Sequence, residues 1–240
     1  MTASRIGRLI VIALPLGLAT PDRAGAGVIV SLGPVSFPGV SAATIGPIGN
    51  NPAPNNDNAT APSPNTVPFT IVYDAVGVGA TDVEFIVNAS GGTTEYLFTQ
   101  TLVNNTNRPW TDFHFELGFG IGAGFVRSGS ADSLDFDTPD RDPAPASSAF
   151  AALDHQADTL DWDGGLVPVG GTVLLSFSVD VPDGLSGFNP SGLNRFTLRQ
   201  VPTVAPTPIP EPGSLALMSL GGLGLVGGAI RKRRRATPAA

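Results

Sequence analysis

Trp110-Thr111-Asp112-Phe113-His114-Phe115-Glu116-Leu117-Gly118-Phe119 alternates residue by residue. Phe113, Phe115, Leu117 and Phe119 fall on one side, and Asp112, His114 and Glu116 on the other. A pleated strand sends successive side chains to opposite faces, so the pattern predicts a half-buried antiparallel strand. Residues 172–182 repeat it, with Val173, Leu175, Phe177, Val179 and Val181 opposite Ser176, Ser178 and Asp180. Runs rich in Val, Ile, Thr, Tyr and Phe at 28–32, 69–76, 83–88, 93–104 and 194–201 extend the series. Ser90-Gly91-Gly92 and residues 104–107 read as turns between strands. Helical periodicity and βαβ crossovers are missing, so the expected fold is all-β: an antiparallel β-sandwich of about seven to nine strands spanning residues 27–201.

Three stretches break the alternation. Residues 46–68 carry Pro or Asn at nearly every second position and predict a long mobile loop. Residues 132–163 are acidic and read as a loop leaving the sandwich. Residues 202–212 alternate Pro with small side chains, which favours an extended polyproline stalk.

Charge and cysteine usage narrow the function. Between residues 27 and 210 stand five arginines and eighteen Asp or Glu, a formal charge of −13. Such a body offers no electrostatic footprint for nucleic acid. There is no cysteine, which excludes thiolate nucleophiles, thiolate metal sites and disulfides; the core must supply the stability.

Both ends carry address signals. Arg5 and Arg8 precede an apolar run at 9–18, and Ala24-Gly25-Ala26 offers the small-x-small pattern cut by signal peptidase. Residues 1–26 are therefore expected to be a signal peptide, with Gly27 the first mature residue. At the other end Pro210-Glu211-Pro212 precedes an uncharged run over 214–230, then Arg231-Lys232-Arg233-Arg234-Arg235. Seventeen residues make a helix of about 25 Å, marginal for a hydrocarbon core of roughly 30 Å. Residues 213–230 thus predict a membrane helix, and the basic cluster opening the tail 231–240 resists translocation and stays cytoplasmic.

This arrangement resembles the PEP-CTERM sorting signal of Gram-negative bacteria that make exopolysaccharide. The resemblance implies recognition by an exosortase, a membrane-embedded protease. That enzyme would cut near Pro210-Glu211-Pro212 and pass the body from a transient inner-membrane anchor to the cell surface or matrix. Asn104-Asn105-Thr106 followed by residues 109–117 is similar to a strand–turn–strand passage in the bodies of PEP-CTERM surface proteins, where it carries no known chemistry.

Candidate chemistry in the body is sparse. Asp112, His114 and Glu116 project from one strand face about 7 Å apart, as alternation alone requires. The sequence holds no Gly-x-Ser-x-Gly elbow. Asp132, Asp135, Asp137, Asp140 and Asp142 lie within eleven residues, and Asp158, Asp161 and Asp163 follow with Gly164-Gly165 behind them. Calcium takes six to eight oxygens from flexible loops, so Asp158, Asp161, Asp163, Asp135 and Asp137 are the candidate ligands, against a plain reading as solvated acidic loops. No other cofactor is called for. Asn58, Asn88 and Asn104 satisfy the Asn-x-Ser/Thr pattern.

Two function classes follow. One is a non-enzymatic exported surface or matrix protein associated with exopolysaccharide or biofilm. The other is a secreted carbohydrate-active hydrolase using a carboxylate pair, or a carbohydrate-binding module, which would need Trp110, Trp162, Tyr73 or Tyr96 exposed.

Overall fold

The computed structural model describes residues 27–50, 62–89, 91–141 and 143–205. Two sheets face each other. The first runs β1 (Gly27–Ser36), β4 (Thr81–Ala89), β12 (Arg195–Val204), β6 (Trp110–Phe119), β10 (Thr159–Asp163) and β9 (Ala152–His155), with β7 (Val126–Arg127) added on β6. The second runs β2 (Val40–Ile45), β3 (Thr66–Tyr73), β5 (Thr93–Asn104), β11 (Thr172–Pro182) and β8 (Ala146–Ser147). The two alternating stretches that predict the fold are β6 and β11, one in each sheet. Their apolar faces meet: the Phe115 and Phe177 rings lie 4.9 Å apart.

Phe177 is the hub of the core. It touches Phe98 at 5.6 Å, Phe136 at 5.5 Å and Trp162 at 6.0 Å between ring centroids. A second cluster centres on Phe85, with Phe69, Phe98 and Phe196 at 5.9, 5.6 and 4.9 Å. Tyr73 and Trp110 meet edge to face at 5.4 Å and close one end. Such contacts add about 0.5–1.5 kcal/mol per pair beyond the area they bury.

The Asn-Asn-Thr turn is built by Asn104, which is fully buried. Its Oδ1 accepts from Thr106 N and Thr106 Oγ1, while Nδ2 donates to Arg108 O, Val167 O and Pro168 O. One side chain therefore ends β5, launches β6 and pins the 167–168 loop beneath Trp110. The same burial removes Asn104 as a glycosylation acceptor in the folded chain.

Several expectations need correction. The sandwich has more strands than seven to nine, because the 132–163 stretch holds β8 and the β9–β10 hairpin. Leu160 and Trp162 point into the core from β10 while Asp161 and Asp163 point out, so the acidic residues disguise an alternating strand. The sheets are also not wholly antiparallel: β3 and β5 run parallel over eight residue pairs. The chain visits the opposite sheet as β4 between them, and two reversals restore the starting direction. Residues 66–68 of the expected loop belong to β3, and the loop's described flanks are tied down. Gly46 N donates to Pro68 O, Gly49 N to Thr66 O, and Ser63 Oγ to Glu95 O. Likewise β12 runs to Val204, three residues into the expected stalk. Pro202 fits there because pairing with β4 has ended at Gln200, so its missing N–H leaves no partner on that side.

The expected signal peptide, residues 51–61, residues 206–212 of the expected stalk, the 213–230 segment and the 231–240 tail lie outside the described residues. Among those described, no helix is long and apolar enough to cross a membrane.

Truncating the hub tests this packing. Phe177→Ala should cost residues 27–204 about 3–5 kcal/mol, whereas Leu174→Ala on the exposed face of the same strand should change stability by less than about 0.5 kcal/mol. Urea unfolding midpoints measure both, and equal losses would contradict the assignment of faces.

Candidate functional site

The outer face of the first sheet collects most of the charged side chains that the alternation singles out. β6 places Asp112, His114 and Glu116 in one line, and β10 lays Asp161 directly opposite His114. His114 Nδ1 contacts Asp161 Oδ1, and His114 Nε2 lies 3.4 Å from Glu116 Oε1. Asp112 sits above its ordinary carboxyl range, chiefly through partial burial, with Asp161 and Asp163 adding to the rise while Thr203 and His114 oppose it. Asp161 is the partner that spacing within β6 could not reveal; it arrives through the register of a strand misread as loop.

The other charges on this face are committed to structure. Arg199 grips Asp82 with two bonds of 2.7 and 2.9 Å, donates to Gly122 O and covers the Phe125 ring at 3.8 Å. Arg195 holds Glu84 at 2.8 Å, and Arg127 forks onto Asp158 at 2.6 and 2.7 Å. The face is an ion-pair lattice on an open sheet.

The second sheet carries a more unusual group. Glu95 on β5 stands directly opposite Asp180 on β11, and Asp135 stands opposite Asp180 on the other side through a two-way backbone bridge. Three acidic residues therefore sit in one cross-strand row. Glu95 is fully buried and Asp180 is 9% exposed. Ser178 Oγ donates to Glu95 Oε1 at 2.9 Å, and Thr138 N donates to Asp135 Oδ1 at 2.8 Å. The 128–141 strap brings Asp135 alongside β11 at this row. It is anchored by Leu134 and Phe136 in the core, by a contact between His155 Nε2 and Phe136 O, and by Arg141 donating to His155 O. Burial first, then the charges of Asp135, Asp137, Glu95 and Asp140, pushes the Asp180 carboxyl up to about 8. Burial also raises Asp135 and lowers His155. Both effects have the same origin, since a buried ionisable group disfavours its charged form.

The five expected calcium ligands are not gathered into one cage. Asp158 is held by Arg127, Asp161 by His114, and Asp163 ends β10 on the exposed face. Asp135 and Asp137 belong to the strap. Among the described residues no group of three or more Asp, Glu or His side chains is placed to hold a metal ion. Trp110, Trp162, Tyr73 and Tyr96 are all buried at 2% exposure or less, so none forms a sugar-stacking platform. Tyr96 has a structural task instead. Its hydroxyl accepts from Ile29 N and contacts Asn50 Oδ1, and burial pushes it up to about 12. The main cleft, about 630 Å³, crosses the outer face of the second sheet between Thr44, Thr70, Thr101 and Leu174 and has no charged residue in its lining.

The buried carboxyl row makes stability fall as pH rises. The folded chain keeps a proton on Asp180 that the unfolded chain has already released above pH 3.8. That contribution is complete at acidic pH and is lost progressively up to about pH 8, at no more than roughly 1.4 kcal/mol per pH unit for one group. Asp180→Asn should flatten the decline and exceed the wild type in stability at pH 8. Urea midpoints between pH 5 and about pH 9 measure it, and an unchanged slope would remove Asp180 as the cause.

No curated protein and no solved structure matches the chain. A family description does match at the C-terminal end, over residues 208–235, and it covers Pro210-Glu211-Pro212, the uncharged run and Arg231 to Arg235. Those residues are a PEP-CTERM protein-sorting motif, which marks an exported chain handed to an exosortase.

Proposed function

We propose that the chain is a non-enzymatic surface or matrix protein of a Gram-negative bacterium, associated with exopolysaccharide or biofilm. It is exported through signal peptidase, held briefly at the inner membrane by residues 213–230, and released by exosortase cleavage near Pro210-Glu211-Pro212. The sorting motif at 208–235 carries this reading. The body supports it by how its reactive groups are used. Asp82, Glu84 and Asp158 hold arginines, Asn104 builds a turn, and Glu95 with Asp180 is buried.

The rival reading is a secreted carbohydrate-active hydrolase. Its favouring observation is the Asp180 carboxyl beside Glu95, since a raised acid next to a second carboxyl is what such chemistry needs. A glycosidase must bring that pair to its substrate, whereas here Glu95 is fully buried and Asp180 is 9% exposed. The described cleft with no charged lining and the buried carboxyl row are separate places.

Deleting Pro210 to Pro212 in the producing host should leave the whole body in the membrane fraction. The wild type should appear in the surface or medium fraction. Immunoblots of the two fractions read the difference, and a deletion variant released as efficiently as wild type would overturn the sorting proposal.

A further inference from the structure

Every strand that ends a sheet offers unpaired backbone groups to another chain, and folded proteins guard such edges with charge, brevity or bulges. Among the described residues, three of the four outer edge strands are guarded. β9 is four residues long and carries Asp154, with Asp161 alongside it in register. β8 is only two residues. β1 is interrupted by two register shifts, and its Ile29 is capped on both backbone groups, N–H by Tyr96 and C=O by Asn50.

β2 is the exception. Among the described residues, Val40-Ser41-Ala42-Ala43-Thr44-Ile45 pairs with β3 on one side only; it has one bulge near its start and carries neither charge nor proline. Ala43 and Ile45 face the core, while Ala42 and Thr44 are exposed. The strand sits within residues 24–56, which contain no charged residue, in a body of formal charge −13. Beside it lies the uncharged cleft bordered by Thr44 and Thr70. At the turn joining β1 to β2 stand the exposed apolar residues Val35 and, against Gly39, Val78. The nearest acid, Asp74, is held by Ser41 and by Asn105 Nδ2 at 2.6 Å.

Charge selects the occupant. A molecule of −13 repels its own copies over most of its surface, and this neutral strip is where two copies can meet without opposing carboxylates. A two-fold contact sets the same patch against itself, so a neutral edge is its own complement. We propose that β2 pairs antiparallel with β2 of a second copy of this chain, joining the two five-stranded sheets into one.

The cysteine-free chain allows a clean test on the full-length protein in non-ionic detergent. Single substitutions Ala42→Cys and Thr44→Cys would be treated with a short bis-maleimide, with Ser186→Cys on the exposed 185–187 turn as control. Antiparallel neighbours lie about 4.5–5.5 Å apart, so at least one β2 cysteine should link two copies while Ser186→Cys does not. Adding Thr44→Glu to Ala42→Cys should lower the linked fraction about tenfold. Raising ionic strength from about 0.01 to about 0.15 M shortens the Debye length from ~30 to ~8 Å and should increase linking, because it screens repulsion between the acidic bodies. Equal linking at Ser186→Cys, or no effect of Thr44→Glu, would overturn the proposal. So would β2 cysteines that a monofunctional maleimide cannot reach in the monomer, which would mean the chain covers its own edge.

Discussion

The packing of Phe177 against Phe98, Phe115, Phe136 and Trp162 is the contact on which the rest of the body depends. It joins β11 to β6 and β10 across the sandwich, and through Phe136 it also ties the 128–141 strap to the core. No disulfide can share this task, because the chain has no cysteine. An exported protein without cross-links must hold its sheets together by apolar area alone, and the aromatic residues are spent there. That commitment explains why no Trp or Tyr is left at the surface for stacking on a ligand.

The acidic residues obey the same constraint from the outside. Eighteen carboxylates and five arginines cannot all pair, so the body assigns its arginines to particular tasks. Arg199 fixes buried Asp82 and the 122–125 turn, Arg195 fixes Glu84, and Arg127 fixes Asp158. Asp135 and Asp180 fall in a row with Glu95, and burial followed by these neighbouring acids raises the Asp180 carboxyl. Burial raises the Asp180 carboxyl and lowers the His155 imidazole that contacts the strap at Phe136 O, so both groups couple stability to pH.

Alternation made the core legible in the sequence. β6 and β11 were readable because their outward residues are of mixed polarity and their inward ones are large. β10 was not, since Asp161 and Asp163 matched a loop composition; the Leu160 and Trp162 period between them was the available signal. The row of Glu95, Asp180 and Asp135 was hidden for a different reason. Glu95 and Asp180 sit on the outer sides of their strands, where alternation predicts solvent, and Asp135 lies in the strap; only the pairing of all three reveals the row. Register is a property of two strands and a turn, so one strand's pattern does not specify it. The parallel β3–β5 pair was hidden likewise, because strand period carries no direction.

The central claim is a sandwich over residues 27–204 ahead of a sorting motif, with residues 1–26 and the C-terminal segment proposed to be removed on export. Its most direct test is the intact mass of the wild-type protein recovered from the surface or medium of the producing cell. The account predicts a chain that begins at Gly27 and ends near Pro210-Glu211-Pro212, without Arg231 to Arg235. A released chain whose mass still includes that basic cluster would contradict it.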